Sequence, residues 1–323
     1  MTFTLAVLWV AAATAVTWLS SAVVALLLSA SRNRLDRLSP AAEARVLLVA
    51  AATPCFVTLL VMTAALAPNF GWIVDHCLDV STHAAHPHVC IDHHGAVMPA
   101  LSLLVLSTLM TLRFAAALSG LARSIWTAYA GARRLERAKL ASRRHNVLPL
   151  PEPRAFVAGL LRPVVYVTAG LLRPEHRAHF RAVFAHEAAH ARSRDPLQRV
   201  LVRLAVCFHL PGVAAWIGRR HHRATEASAD DRAARSLGPL RVAEALMHLA
   251  RYSGPTPTGA SAFLQAGDLE YRVRRLLRPG PAREQHVRWT WIAALAGTLV
   301  VATCLGADGI HHGVEHLLGV LST

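Results

Sequence analysis

Charge is what this chain has little of, and acidic charge least. Only 16% of its 323 residues are charged, with 19 acidic against 34 basic side chains, and Lys139 is its single lysine. Residues 1–31, 46–74, 95–112 and 289–307 contain no charged side chain at all. Each stretch can supply the ~20 apolar residues that cross a hydrocarbon core, which argues against a wholly water-exposed enzyme. Aromatic residues make up only 6%. There is no zinc finger, helix-turn-helix pattern or aromatic-basic platform, so direct nucleic-acid binding is not expected. Internal repeats and low-complexity tracts are absent as well.

The basic residues that are present sort the ends of these stretches. Residues 68–96 and 307–323 hold no Lys or Arg, whereas residues 32–45 hold four and residues 122–288 hold 29. The positive-inside rule then places both termini and the 68–96 loop outside and residues 122–288 in the cytoplasm of a multi-pass cell-membrane protein. The first stretch lacks a basic leader and is followed by Arg32, Arg34 and Arg37, so it reads as a retained transmembrane helix. Arg113 is expected to snorkel towards the cytoplasmic interface. The 29 basic side chains of residues 122–288 face 12 acidic ones. Their nearest partner is the anionic lipid surface.

One further apolar stretch, residues 204–218, is broken by Pro211-Gly212 and is denied a crossing. It is expected to form a bent helical pair that covers the active-site domain or dips into the inner leaflet, with His209 a core residue.

The densest chemistry is His186-Glu187-Ala188-Ala189-His190, followed by Glu226-Ala227-Ser228-Ala229-Asp230. On a helix, residues four apart share a face, so His186 and His190 can converge on one metal ion with Glu187 beside an activated water. A catalytic zinc needs a third protein ligand from another element, a role that suits Glu226. Asp230, four residues on, is placed to accept a hydrogen bond from the non-ligating nitrogen of a zinc histidine, His186. His221 and His222, with Arg219 and Arg220, are candidate donors to a transition-state oxyanion, and His222 could compete as a ligand. Asp195-Pro196 reads as an N-cap and first-turn proline, with Asp195 a cap and not a ligand. Strands are expected over residues 155–158 and 164–168, and an edge strand there could take substrate as an added strand.

The expected fold is mainly α: a polytopic membrane protein with four transmembrane helices and a cytoplasmic α+β zincin-like metalloprotease domain. Its parts are a three-helix transmembrane region (1–121), a basic helical extension and Pro-rich linker (122–153), the metallopeptidase domain (154–288), a fourth span (289–306) and a short outer tail (307–323).

Taken together, Ala155-Phe156-Val157-Ala158-Gly159, Arg162-Pro163-Val164-Val165, the His186 to His190 motif, Arg194-Asp195-Pro196, Glu226 to Asp230 and Tyr271-Arg272-Val273-Arg274-Arg275 resemble the BlaR/MecR-type membrane zinc peptidases. The HtpX and CAAX prenyl protease families are similar in the same metal motifs. The resemblance implies an endopeptidase holding one Zn(2+) with His186, His190 and Glu226, with Glu187 catalytic. It also implies cleavage of itself and of a cytoplasmic transcriptional repressor. The β-lactam sensors of that class carry a penicillin-binding domain outside, which is lacking here, so antibiotic sensing is not implied. Two other readings stay open: a quality-control protease of HtpX type, and a signalling scaffold with a structural zinc.

Nine histidines fall on the predicted outer side: His76, His83, His86, His88, His93, His94, His311, His312 and His316. They are read first as a solvated, biased segment and second as a metal or acid sensor. Cys77 and Cys90 could form a disulfide there, while Cys55, Cys207 and Cys304 are expected to be buried or intramembrane.

Overall fold

The computed structural model describes residues 3–65, 101–139, 146–252, 266–278 and 289–322. Its elements run α1 (Phe3–Ala30), α2 (Arg32–Leu35), α3 (Pro40–Ala65), α4 (Leu101–Ala138), β1 (Asn146–Leu148), β2 (Ala155–Ala158) and β3 (Val164–Thr168). Then follow α5 (Arg177–Ser193), α6 (Asp195–Ala205), α7 (Pro211–Leu237), α8 (Pro239–Ala250), α9 (Ala266–Leu277), α10 (Trp289–Leu305) and α11 (Ala307–Ser322).

Among the described residues, two helices are long and apolar enough to cross a membrane, Trp9–Ala30 within α1 and Pro40–Ala65. The third apolar stretch opens α4, which runs on without interruption through the basic extension for 38 residues. No proline interrupts it, and Ala, Leu and Arg are strong helix formers, so nothing stops the helix at the polar boundary. The loop expected outside, with Cys77, Cys90 and six of the nine histidines assigned to that side, lies beyond the described residues. Cys55 and Cys304 are exposed on α3 and α10, and Cys207 is half-buried.

At one end, α1, α3 and α11 bring together Val7, Ala11, Ala12, Ala65 and Val314, with Leu104 of α4 against them. The tail expected after residue 306 is thus the helix α11, folded back on the bundle. His311 is completely buried in it, with Nδ1 2.8 Å from the carbonyl oxygen of Ala65. It is therefore a packed residue and not part of a solvated segment.

The 204–218 stretch turns back as expected, and its seat is within the bundle. After α6 comes one tight turn, Val206–Phe208. α7 then starts at Pro211, where a missing N–H costs nothing because first-turn donors have no helical acceptor. The tip wedges between α1, α3 and α4. His209 is fully buried, its Nδ1 3.1 Å from Ser21 Oγ and its Nε2 3.2 Å from the carbonyl oxygens of both Ala50 and Ala51. Ser21 Oγ accepts from the Leu210 N–H at 3.0 Å, so its own proton goes to Nδ1. The ring proton is then on Nε2, donating to the two carbonyls. Arg113 has a protein partner here: its Nη2 donates to the His209 carbonyl at 2.7 Å. A hairpin tip in apolar surroundings leaves carbonyls without partners, and a cation that satisfies one is held there. Ser21 precedes the end of α1 by nine residues, about 14 Å of helix, so the tip lies deep along the candidate spans.

Beyond the other end of the bundle, β1 pairs parallel with β3, and β2 pairs antiparallel with it, giving the order β1-β3-β2. β2 and β3 are the two strands expected. β1 takes Val147 and Leu148 from the segment read as linker. At the β2–β3 turn, Gly159 has φ 101°, a backbone state that disfavours any Cβ. The core lies between this sheet, α5, α7, α8 and α9, around Val167, Leu171, Val183, Ala233, Leu246 and Leu276.

Candidate metal centre

Four helices build the site. α5 supplies His186, Glu187 and His190, α7 supplies Glu226 and Asp230, α6 supplies Asp195 and Arg199, and α9 supplies Arg272. The turn between α5 and α6 is a single residue, Arg194, in the left-handed region with φ 53°. Its N–H closes the last turn of α5 on the carbonyls of Ala191 and His190. A non-glycine residue in that region is uncommon, and here it swings Asp195 directly under His190.

His186, His190 and Glu226 are all buried and each offers a ligand atom to one shared group. The two Nε2 atoms are 3.0 Å apart, His190 Nε2 is 3.5 Å from Glu226 Oε1, and His186 Nε2 is 3.6 Å from Glu226 Oε2. Tetrahedral zinc with bonds of about 2.0–2.1 Å sets its ligand atoms about 3.3 Å apart, so this triangle has the right size for that ion. Glu187 is 2% exposed, and its Oε2 has no hydrogen-bond partner among the described residues. An orphaned carboxylate oxygen next to three metal-type donors suits a site that handles water and a cation.

The far nitrogens of both histidines are held by carboxylates. His186 Nδ1 is 3.0 Å from Asp230 Oδ1, as the i, i+4 spacing from Glu226 predicts. His190 Nδ1 donates to Asp195 Oδ2 at 2.5 Å. This corrects the reading of Asp195 as a helix cap: α6 has no side-chain cap, and the carboxylate turns inward to the histidine. With a metal bound, each contact would leave Nε2 free of a proton and directed at the centre.

Two arginines balance this acidic group. Arg272 is 2% exposed, donates to both oxygens of Asp230 at 2.7 Å, and lies 3.1 Å from Glu226 Oε2. Arg199 Nη2 donates to Glu226 Oε1 at 2.6 Å. Burial works against ionising Glu226, but His190, His186 and Arg272 hold it well below the usual carboxylate range. Burial pushes the Glu187 carboxyl up, and the neighbouring cationic groups recover only part of that rise. Burial also disfavours charge on His190, yet Glu226 and Asp195 raise it to about 10 in the metal-free protein.

Of the candidate donors on α7, Arg220 is committed elsewhere. Arg220 is bound to Asp36 and Glu43, each at 2.5 Å, where α7 passes the start of α3. Arg219 is exposed and His222 half-buried, and His222 is not one of the ligand group. His221 is 1% exposed and close enough to Asp195 and Arg199 to feel their charge. Asp195 was misread, and Arg199 and Arg272 carried no role in the sequence reading. Their only signal was that three buried carboxylates, Glu187, Glu226 and Asp230, must find cations.

Residues 122–278 match the model of Peptidase family M48. The M48 match covers β1 to β3 and α5 to α9, every element that supplies the metal group and its supports, and it supports an M48 family metallopeptidase. M48 peptidases are typically zinc-dependent, and the donor set and spacing fit that ion. No curated protein and no solved structure matches the chain.

Proposed function

We propose that this protein is a membrane-embedded, zinc-dependent endopeptidase. It hydrolyses peptide bonds of a cytoplasmic protein, and we read a transcriptional repressor in a signalling pathway, together with the chain itself, as its substrates. The observation that carries the reading is the convergence of His186, His190 and Glu226 with Glu187 buried beside them. The antirepressor assignment rests on the sequence motifs quoted above. Four spans place both termini outside and the metal group in the cytoplasm. The metal domain and the α11 end of the bundle lie at opposite ends of α1 and α3, which supports that orientation.

Zinc held by His186, His190 and Glu226 supplies a Lewis acid that acidifies water and polarises the scissile carbonyl. Glu187 takes the proton of the attacking water and delivers it to the leaving amide nitrogen. Asp195 and Asp230 fix both imidazole rings, and Arg272 fixes Asp230 and Glu226. β2 is the strand of the sheet packed beside α5 whose second edge is unpaired within the sheet, and it is the place for substrate to add as a strand.

A second reading, quality control of membrane proteins, draws support from the height of the site. Arg220 marks the level of the α2–α3 turn, and Glu226 lies six residues further along α7, about 9 Å beyond it.

Proteomics of cells expressing the intact protein or Glu187→Gln, with zinc measured on both purified proteins, tests the proposal. One repressor-like protein accumulating in the mutant at equal zinc content supports the regulatory enzyme. Many accumulating membrane proteins support quality control. No change at full zinc content in an enzyme shown to be stimulated would leave only a structural zinc.

A further inference from the structure

We propose that Arg199 is the electrophilic donor of this site, its guanidinium hydrogen-bonding the scissile carbonyl oxygen as negative charge develops there. The inference rests on the peptidase reading above and adds the group that reading lacks.

The cations around the metal group differ in how they are committed. Arg272 is sealed in and spends its fork on Asp230 and Glu226. Arg220 is held at the α3 end of the molecule by Asp36 and Glu43. Arg199 has one carboxylate contact, to Glu226 Oε1. Its side chain is 22% exposed where that of Glu226 is 5% and those of the two histidines are 4% or less, so it stands at the mouth of the group. It is also near enough to Glu187 for its charge to favour the ionised carboxyl. Its buried Nε has no hydrogen-bond partner among the described residues, which leaves a donor uncommitted. Asp195 and Arg199 are four residues apart on α6, so one helical face orients a histidine and presents a guanidinium to the third ligand.

The chemistry needs such a group. As the water oxygen bonds to the carbonyl carbon, its proton passes to Glu187 and an electron pair moves onto the carbonyl oxygen. Arg199 meets that charge with N–H donors already in place, which requires no reorganisation at the moment of reaction. When the C–N bond breaks, the pair returns to re-form the carbonyl, and the proton on Glu187 goes to the amine.

The test uses full-length protein in detergent with Arg199→Ala and Arg199→Lys, and has three readouts. Against fluorescent casein, Arg199→Ala should lose about 10²–10³ in kcat with little change in KM, as for removal of an oxyanion donor. Guanidinium ion at millimolar concentration should restore part of the rate. Metal-free Arg199→Ala should bind zinc as tightly as the parent or more tightly, since a competitor for Glu226 is gone.

By calorimetry on the zinc form, an alanine-based phosphinic peptide should bind at least tenfold more weakly to the variant, and the matching ordinary peptide about equally. A parallel loss of zinc affinity and of both peptides, without rescue, would make Arg199 a structural residue and overturn the proposal. Unchanged kcat and phosphinate affinity would overturn it too. If the parent protein cleaves nothing but shows the selective phosphinate effect, the peptidase reading fails while the Arg199 contact stands.

Discussion

Asp195 Oδ2 lies 2.5 Å from His190 Nδ1, five residues away across the sharp turn at Arg194. The contact is buried, with side-chain exposures of 7% and 4%. It does for His190 what Asp230 does for His186, so each imidazole has its own carboxylate to fix its orientation. Asp195→Ala should therefore weaken zinc binding by about 10–100-fold, with Asp195→Asn in between. Competition with a chelating indicator on metal-free protein measures this. An unchanged zinc affinity would return Asp195 to a purely structural place.

Glu187→Gln keeps the size and burial of the side chain and removes its basicity. Zinc content should stay at that of the parent while turnover falls by about 10²–10⁴. Metal analysis beside a cleavage assay separates the two. Residual proteolysis near the parent rate would exclude Glu187 as the base. His190→Ala should lose the metal along with the activity.

His221 supplies the pH-dependent prediction. Burial depresses it to about 4, against an ordinary histidine value near 6.5. Protons then prefer the unfolded chain between those values, so its contribution to stability is complete above about 6.5 and is lost as pH falls towards 4. The full effect is about 3 kcal/mol at 1.4 kcal/mol per unit. Melting curves of His221→Asn across pH 4 to 7 should show a flatter acid limb than the parent. Parallel curves would mean that His221 stays accessible to protons.

Removing the cation at the hairpin tip should loosen the tie between the bundle and the site. Arg113→Ala leaves the His209 carbonyl short of its donor, at a cost of about 1–3 kcal/mol. Thermal unfolding in detergent should report that loss. Ser21→Ala, which removes the group shared by His209 and Leu210, should do the same. If neither changes the melting temperature, the tip is held by packing alone.

In the core of the domain, Leu246 is fully buried between α8 and the sheet-facing helices. Leu246→Ala should destabilise by about 2–5 kcal/mol, read by denaturation of the zinc-loaded protein. A smaller loss would show that neighbouring side chains collapse into the space.

The amino-acid sequence by itself determined which three donors could hold a metal, the carboxylate that adjoins them, the partner of His186, both strands β2 and β3, and the apolar stretches. All of these are periodic within one element: His186 and His190, or Glu226 and Asp230, are four apart on one helix, and a charge-free run is visible without any fold. Tertiary structure alone decided that Asp195 faces His190, that Arg199 and Arg272 are the cations of the site out of 34 basic side chains, and that Arg113 clamps the hairpin. Those contacts join different elements, Arg272 to Asp230 across 42 residues and His209 to Ser21 across 188. Basic side chains look alike in sequence. Which of them a buried carboxylate or a stranded carbonyl captures is set by where helices cross, and that depends on the packing of the whole chain.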